Sequence, residues 1–525
     1  MLIIVGVLLT LLTPFLVIGL GYLRVRRRFQ LIIIPITTLI SLVLVFTNLG
    51  NLPVSIHLPK LSPAADFLGS PTILVDNISL PFVISILSLV LATFLMDIAY
   101  KENLSPFSWA FIQLFGGLGI VAVLSGNLLT ILIAWTMIDI AKCIALLRIA
   151  PSSRDRENVV ISLSFGIMGI VLVISAMIIA QGIGIRLSFD NIPNQVSVLL
   201  ILAAGLRLGF LPLNQLYLKE PNKFRNVETT IRIVSSVAGI ILGVRAANSG
   251  ITGDWFLIII VLSTAIVTLN AIFWIQAEND IKGLSYLIIG YGSFSLTAAA
   301  QGFQSASLAW ALSMMFSGAL LFKISHNNRW MIILVFLGGI GLSALPLTPT
   351  WGGSVQIYSL PWFFRIIFLI IQALMIVGYI RITIQSLNIE QGIEKWTLFV
   401  YLIGLIILLV TYYGLFYSMW ISGLHYISFQ SSGWWGGVIS TGMATILIVK
   451  YRDKLIFPRA YVLRIKAIFL WISRFLWWGY RYLGRILYFV TRILEGDGSV
   501  LWAILILLLF IITISIWGNG EILEF

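Results

Sequence analysis

The chain has 525 residues, 59% of them hydrophobic and 10% charged, with a mean hydropathy of +1.04. A soluble protein of this length carries far more charge on its surface, so the composition excludes the water-soluble globular classes. The formal net charge of +13 calls for no nucleic-acid partner, because cytoplasmic loops of membrane proteins are basic and one C-terminal segment holds much of the excess.

Apolar runs of about 18 residues or more recur along nearly the whole length, each able to cross a hydrocarbon core roughly 30 Å thick. The expected fold class is an all-α polytopic membrane protein, since a β-barrel would show short alternating segments instead. Residues 1–106 are expected to hold three spans. The first, Met1 to Tyr22, has no charge before it and no small-residue cleavage site, and reads as a retained helix rather than a signal peptide. Spans four to eight fall in residues 107–253, spans nine to thirteen in 254–388, and spans fourteen and fifteen in 389–450. The loops "RVRRRFQ" (24–30), "RIAPSSRDREN" (148–158), "YLKEPNKFRN" (217–226) and "KYRDK" (450–454) fall on one side. The positive-inside rule puts that side in the cytoplasm, with both termini outside a bacterial inner membrane or its equivalent.

Ionisable groups inside spans are costly and mark candidate sites. Asp139 and Lys142 stand in "AWTMIDIAKCIALL" of the fifth span, at a spacing that lets them pair on one helix face. Arg207 stands in "LILAAGLRLGFLPLNQLYL" of the seventh, five residues before Pro212. The proline break is expected to free backbone carbonyls that solvate the guanidinium and to admit water. A guanidinium keeps its proton, so Arg207 can attract anions or act on a neighbour but cannot relay a proton itself. Arg232 stands in "TTIRIVSSVAGIILG" of the eighth span.

The seventh span (196–216), with Pro212 in "GFLPLN", and the twelfth (331–347), with Pro346 and Pro349 in "SALPLTPTWGG", are both interrupted by proline. They lie five spans apart, and an odd offset places equivalent helices in opposite orientations. Broken helices at matching places of two halves point to inverted five-helix repeats, here 107–253 and 254–388.

Residues 451–497 form a basic segment in which Arg459, Lys466, Arg474, Arg481, Arg485 and Arg492 recur at helical spacings, with Trp, Phe, Leu and Tyr filling the other faces. It reads as an interfacial helix about 50 Å long at 1.5 Å per residue, lying on the cytoplasmic surface with anionic lipid along residues 459–492. It serves either as a brace against neighbouring subunits or as a plain lipid anchor. A final span follows in 498–525. Cys143 is the single cysteine, and His57, His326 and His425 lie far apart in expected loops. No metal, haem or other cofactor site is therefore expected, and no catalytic set is gathered at one membrane face.

Several of these stretches together resemble a known family. "NDIKGLSYLIIGYGSF" (279–294) resembles the Asp-x-Lys-x-x-x-Tyr-x-x-Ile segment of proton-conducting antiporter-like subunits, the large membrane subunits of respiratory complex I and of Mrp-type cation/proton antiporters. "GLRLGFLPLN" resembles the family's broken seventh helix, "GLSALPLTPTWGGS" its broken twelfth, and "NLLTILIAWTMID" its fifth. The likeness covers roughly residues 75–385 and the order of a fourteen-helix core, while the basic tail resembles the lateral helix of complex I's most distal antiporter-like subunit. It implies proton or cation translocation coupled to a redox complex whose electron-transfer parts belong to partner subunits.

The departures from that family are systematic. Thr136 follows Trp135 where the family has a glutamate, and Arg207 and Asn214 replace a lysine and a histidine. Val237, Met314, Gly318 and Ser354 stand where titratable residues are usual, and only Lys282 is kept. The expected ion path is Asp139, Lys142, Arg207, Arg232 and Lys282, with Arg207 as the fixed charge and Asp139 as the group that changes protonation. The alternative is a scaffold subunit that keeps the fold, has lost the relay, and holds a membrane assembly together.

Overall fold

A computed structural model describes residues 2–47, 52–59, 70–99, 106–150, 152–183, 189, 192–210, 225–277, 280–322, 329–385, 395–421, 434–451, 478, 481, 482 and 485. The chain separates into two compact units, Met1–Ile456 and Phe457–Phe525. Pro212, Asn214 and the sixteenth expected span lie outside the described residues.

The first unit opens with α1 (Leu2–Tyr22) and α2 (Arg27–Phe46), and continues with an element the sequence reading missed. This is an antiparallel hairpin of β1 (Val54–His57) and β2 (Thr72–Val75), with Val54 opposite Val75 and His57 opposite Thr72. Then follow α3 (Ser79–Ala99), α4 (Pro106–Val123), α5 (Leu128–Ile149), α6 (Ser153–Gly182), α7 (Asn194–Leu208) and α8 (Arg225–Ala246). After these come α9 (Asp254–Ile275), α10 (Asp280–Ala300), α11 (Gln304–Phe322), α12 (Arg329–Ile340), α13 (Ser354–Ser359), α14 (Trp362–Gln385), α15 (Lys395–Ile421) and α16 (Trp434–Tyr451). Each of the first fifteen expected spans has its helix. Among the described residues eleven helices are long and apolar enough to cross a membrane, and the apolar α7, α12 and α16 are shorter. The chain is an integral, multi-pass membrane protein.

Burial sorts the helices into layers. The apolar windows of α3, α8 and α10 are 94%, 94% and 100% buried, whereas those of α2, α5 and α6 are 33%, 33% and 28% buried. The first group forms the centre, and the second turns most of its apolar surface outward, as a helix facing lipid does. Small residues let the central backbones approach: a methyl group on Gly119 of α4 would overlap Val234 of α8, and one on Gly243 of α8 would overlap Leu296 of α10.

Local chemistry fixes where the site-bearing helices begin. Asn127 is extended, and its side-chain oxygen accepts from Thr130 N at 3.0 Å, starting α5 with a side-chain cap. The Asn127 amide donates to Ser70 O at 2.7 Å, and Thr72 N donates to Thr130 Oγ1 at 2.8 Å, which ties the hairpin to that helix start. A partly buried ion pair of Arg245 and Asp76, 3.0 Å apart, joins the end of α8 to the start of α3.

The twelfth span is broken, as its prolines led one to expect. The helix stops at Ile340, residues 341–350 form turns, and a 3-10 turn at Trp351–Gly353 leads into α13. Ala344 and Leu347, which flank Leu345-Pro346, take left-handed backbone angles of φ 55° and 65°, a conformation unfavourable for residues with a Cβ. The break satisfies its own backbone groups. Thr350 Oγ1 accepts from Ala344 N at 2.8 Å and donates to Gly341 O at 2.7 Å, and the Tyr412 hydroxyl donates to the same carbonyl at 3.1 Å. Non-helical backbone at membrane depth is tolerable only when buried and satisfied in this way.

In the second unit the described residues Trp478, Arg481, Tyr482 and Arg485 are helical and exposed. They stand at i, i+3, i+4 and i+7, and the Trp478 and Tyr482 rings stack with centroids 5.7 Å apart. The aromatic pair therefore adjoins these two arginines rather than lying opposite them.

Candidate functional site

Four residues of α5 fall on one helical stripe at i, i+4, i+7 and i+11: Trp135, Asp139, Lys142 and Leu146. Trp135 is fully buried, and its indole N–H donates to Ala238 O of α8 at 2.7 Å, turning the stripe towards the centre of the bundle. Thr136, one residue on, is exposed and bonds its hydroxyl to its own helix at Leu132 O, 2.7 Å away. The position matched to the family's glutamate thus faces outward, while Asp139 faces inward.

Arg207 sits in the last turn of α7, just before Gly209 ends the helix at φ 91°. Its Nη1 donates to Asp139 Oδ2 at 2.8 Å and its Nη2 to Asp139 Oδ1 at 2.9 Å. The two side chains are 2% and 10% exposed, so this is a buried two-pronged ion pair. The guanidinium carbon lies 4.3 Å from the centre of the Trp135 ring, within cation–π range. The solvation of Arg207 thus comes from a carboxylate and an indole face, where freed carbonyls were expected.

Glycines on two neighbouring helices make room for the pair. A Cβ on Gly166 of α6 would lie 2.6 Å from Asp139 Oδ2, and one on Gly239 of α8 would lie 2.9 Å from Arg207 Cβ.

A second ion pair lies on α8. Arg232 Nη2 donates to Glu228 Oε1, four residues earlier, at 2.5 Å, and its Nη1 donates to Ser285 Oγ of α10 at 2.5 Å. Between the two pairs is a cavity of about 70 Å³ whose wall includes Lys142, Arg207, Glu228, Arg232, Ser235 and Ser285. A smaller space of about 10 Å³ adjoins Asp139, Lys142, Cys143 and Ser162. Lys142 and Ser162 line both. Asp139 and Lys142 share a face, as their spacing implied, but Asp139 is spent on Arg207. Lys142 has no ion pair among the described residues.

Three of the five expected path residues, Lys142, Arg207 and Arg232, thus line one cavity, and Asp139 adjoins it through its pair with Arg207. Of Lys282 it places the backbone, in the first turn of α10. Three participants were missed. Glu228 was legible, because its i, i+4 spacing to Arg232 is a standard helical pairing. Ser285 and the pair-accommodating Gly166 carried no signal, since only tertiary packing brings them to the site.

The second half is polar in a different way. Around the broken twelfth span, Asn270, Tyr291, Gln356 and Gln372 are fully buried, and each keeps a side-chain atom with no hydrogen-bond partner among the described residues. Val237 and Met314 are fully buried, and Ser354 bonds back to Trp351 O at 2.7 Å. Among the described residues the buried interior of α9 to α14 holds no lysine and no carboxylate.

Neither a protein-family model nor a curated protein matches the sequence. Solved structures do. The chain superposes on a chain of the membrane-bound sulfane sulfur reductase, an archaeal respiratory membrane complex, with a TM-score of 0.66, 15% identity and coverage of 96% of this chain and 99% of that one. The fold is that of the antiporter-like membrane subunits. A chain of the Mrp complex from Dietzia sp. gives a TM-score of 0.64 at 13% identity, covering all of this chain and 64% of that one. A chain of respiratory complex I from Thermus thermophilus gives 0.59 at 13% identity, over 81% of this chain and all of the other. At such identities the likeness is one of fold alone.

Proposed function

We propose that this chain is a membrane subunit of a multi-subunit assembly of the complex-I or Mrp kind, and that it moves protons or cations through the polar cavity of its first half. The observation that carries the reading is Lys142, an amine set between two ion pairs, facing hydroxyl groups and room for several waters. A half-buried ionisable group without a fixed counter-ion can change its charge as its surroundings change. Asp139 is less suited to that task, because its two oxygens are engaged by a guanidinium that keeps its proton. Lys142 is therefore the switching group, Arg207 and Asp139 form a fixed dipole beside it, and Arg232 with Glu228 forms the exit towards Ser285. The matched neighbours are chains of membrane complexes, which supports other membrane subunits as partners. The orientation with basic loops in the cytoplasm of a bacterial cell, the inverted five-helix repeats, and lipid binding along residues 459–492 belong to the same proposal.

The scaffold reading has one observation in its favour, the lack of buried lysines and carboxylates among the described residues of α9 to α14. Proton flux separates the two. In proteoliposomes holding the whole native assembly, Lys142→Gln is expected to lower flux at least tenfold while subunit composition is unchanged. Full flux with an intact assembly removes Lys142 from the path and overturns this reading.

A further inference from the structure

We propose that the cavity between α5, α7, α8 and α10 is a binding site for one halide-sized monovalent anion, held by Lys142. The charge on its wall leads to this. Lys142, Arg207 and Arg232 line the space, while among the described residues the carboxylates at hand are Glu228 on its wall and Asp139 beside it. Asp139 is bound to Arg207 and Glu228 to Arg232, which leaves one positive charge with no counter-ion among the described residues. A half-buried ammonium without a counter-ion carries a desolvation cost, and an anion beside it offsets that cost.

The wall also supplies donors. Ser285 Oγ accepts from Arg232, so its own O–H is free to point into the cavity. Arg207 Nε is buried and has no hydrogen-bond partner among the described residues. Ser162 and Ser235, both buried, line the same space. The ammonium adds up to three N–H groups.

Size and valence select the ligand. About 70 Å³ accommodates a chloride or bromide with a water or two, given roughly 30 Å³ per water in the liquid. One negative charge balances the excess, whereas a sulfate or hydrogen phosphate dianion would overturn it. The site rests on the wall's charge alone and stands whether or not protons move through the chain.

The test is chloride binding to the full-length purified protein, read by ³⁵Cl NMR line broadening and by the melting temperature in sodium chloride against sodium gluconate at equal ionic strength. The wild type is expected to broaden the chloride line, to lose that broadening to bromide but keep it in sulfate, and to melt higher in chloride, as linkage requires. Lys142→Gln is expected to weaken binding at least fivefold, Lys142→Arg to keep it, and Ser285→Ala to weaken it by two- to fivefold. Equal behaviour in chloride and gluconate overturns the proposal, as does Lys142→Gln binding like the wild type. Should Lys142→Gln fail to fold, the Ser285→Ala comparison decides, and unchanged binding there overturns the proposal equally.

Discussion

Removing one member of the Arg207–Asp139 pair has a cost that the structure allows to be worked out. The pair is bidentate at 2.8 and 2.9 Å, and its side chains are 2% and 10% exposed. Asp139→Asn leaves the guanidinium buried with no opposite charge, a loss of about 3–5 kcal/mol by analogy with other broken buried pairs. The Trp135 ring remains beneath Arg207 and retains about 0.5–2 kcal/mol of it. Spread over the whole chain, at about 2.1 cal/mol/K per residue, the net loss lowers the melting temperature by on the order of 1–4 °C. Replacing both partners with apolar side chains of similar volume, Asp139→Leu with Arg207→Met, removes the stranded charge and is expected to restore most of the loss. Melting curves of the detergent-solubilised protein, read by tryptophan fluorescence, give all four corners of the double-mutant cycle. The reasoning is refuted if the single variant melts with the wild type, or if the two changes add rather than compensate. The compensated variant is also informative in flux measurements, because it retains Lys142 without the adjoining dipole.

Other outcomes follow from neighbouring contacts. Gly166→Ala is expected to destabilise the protein by about 1–3 kcal/mol, because its Cβ would lie 2.6 Å from Asp139 Oδ2; the same melting assay checks this. Thr350→Val keeps the volume but removes both hydrogen bonds that close the twelfth-span break, and is expected to cost about 1–3 kcal/mol. Native-state hydrogen exchange should localise that effect to residues 341–350. Deleting residues 457–525, the second compact unit, is expected to weaken co-purification with partner subunits while the first unit still inserts. Full retention of partners would contradict the brace reading of the basic tail.

Much of the fold was legible because the bilayer imposes a simple code. Fifteen apolar runs became helices, and Pro346 with Pro349 marked the break in the twelfth span before its turns were seen. The edges were less so. The seventh helix stops at Leu208 because Gly209 adopts a left-handed conformation, whereas hydropathy alone carried the expected span on to residue 216. The hairpin at residues 54–75 was hidden because two four-residue strands are too short to stand out beside long apolar runs. In the site, spacing could place Asp139, Lys142 and Leu146 on one face of α5, and Glu228 with Arg232 on one face of α8. It could not assign Asp139 its partner. The i+3 lysine was the local candidate, but the guanidinium that takes the carboxylate comes from another helix, 68 residues away. That one tertiary contact is the reason the proposed switching role goes to Lys142 rather than to Asp139.

The charge state of Lys142 is the quantity on which the account turns. Selective ¹⁵N labelling of lysine side chains, with Lys142→Arg to assign the resonance, reads it directly in the reconstituted protein. The account predicts an Nζ signal that passes reversibly between charged and neutral forms over the pH range in which the assembly moves protons. A Lys142 that stays in one form throughout would contradict it.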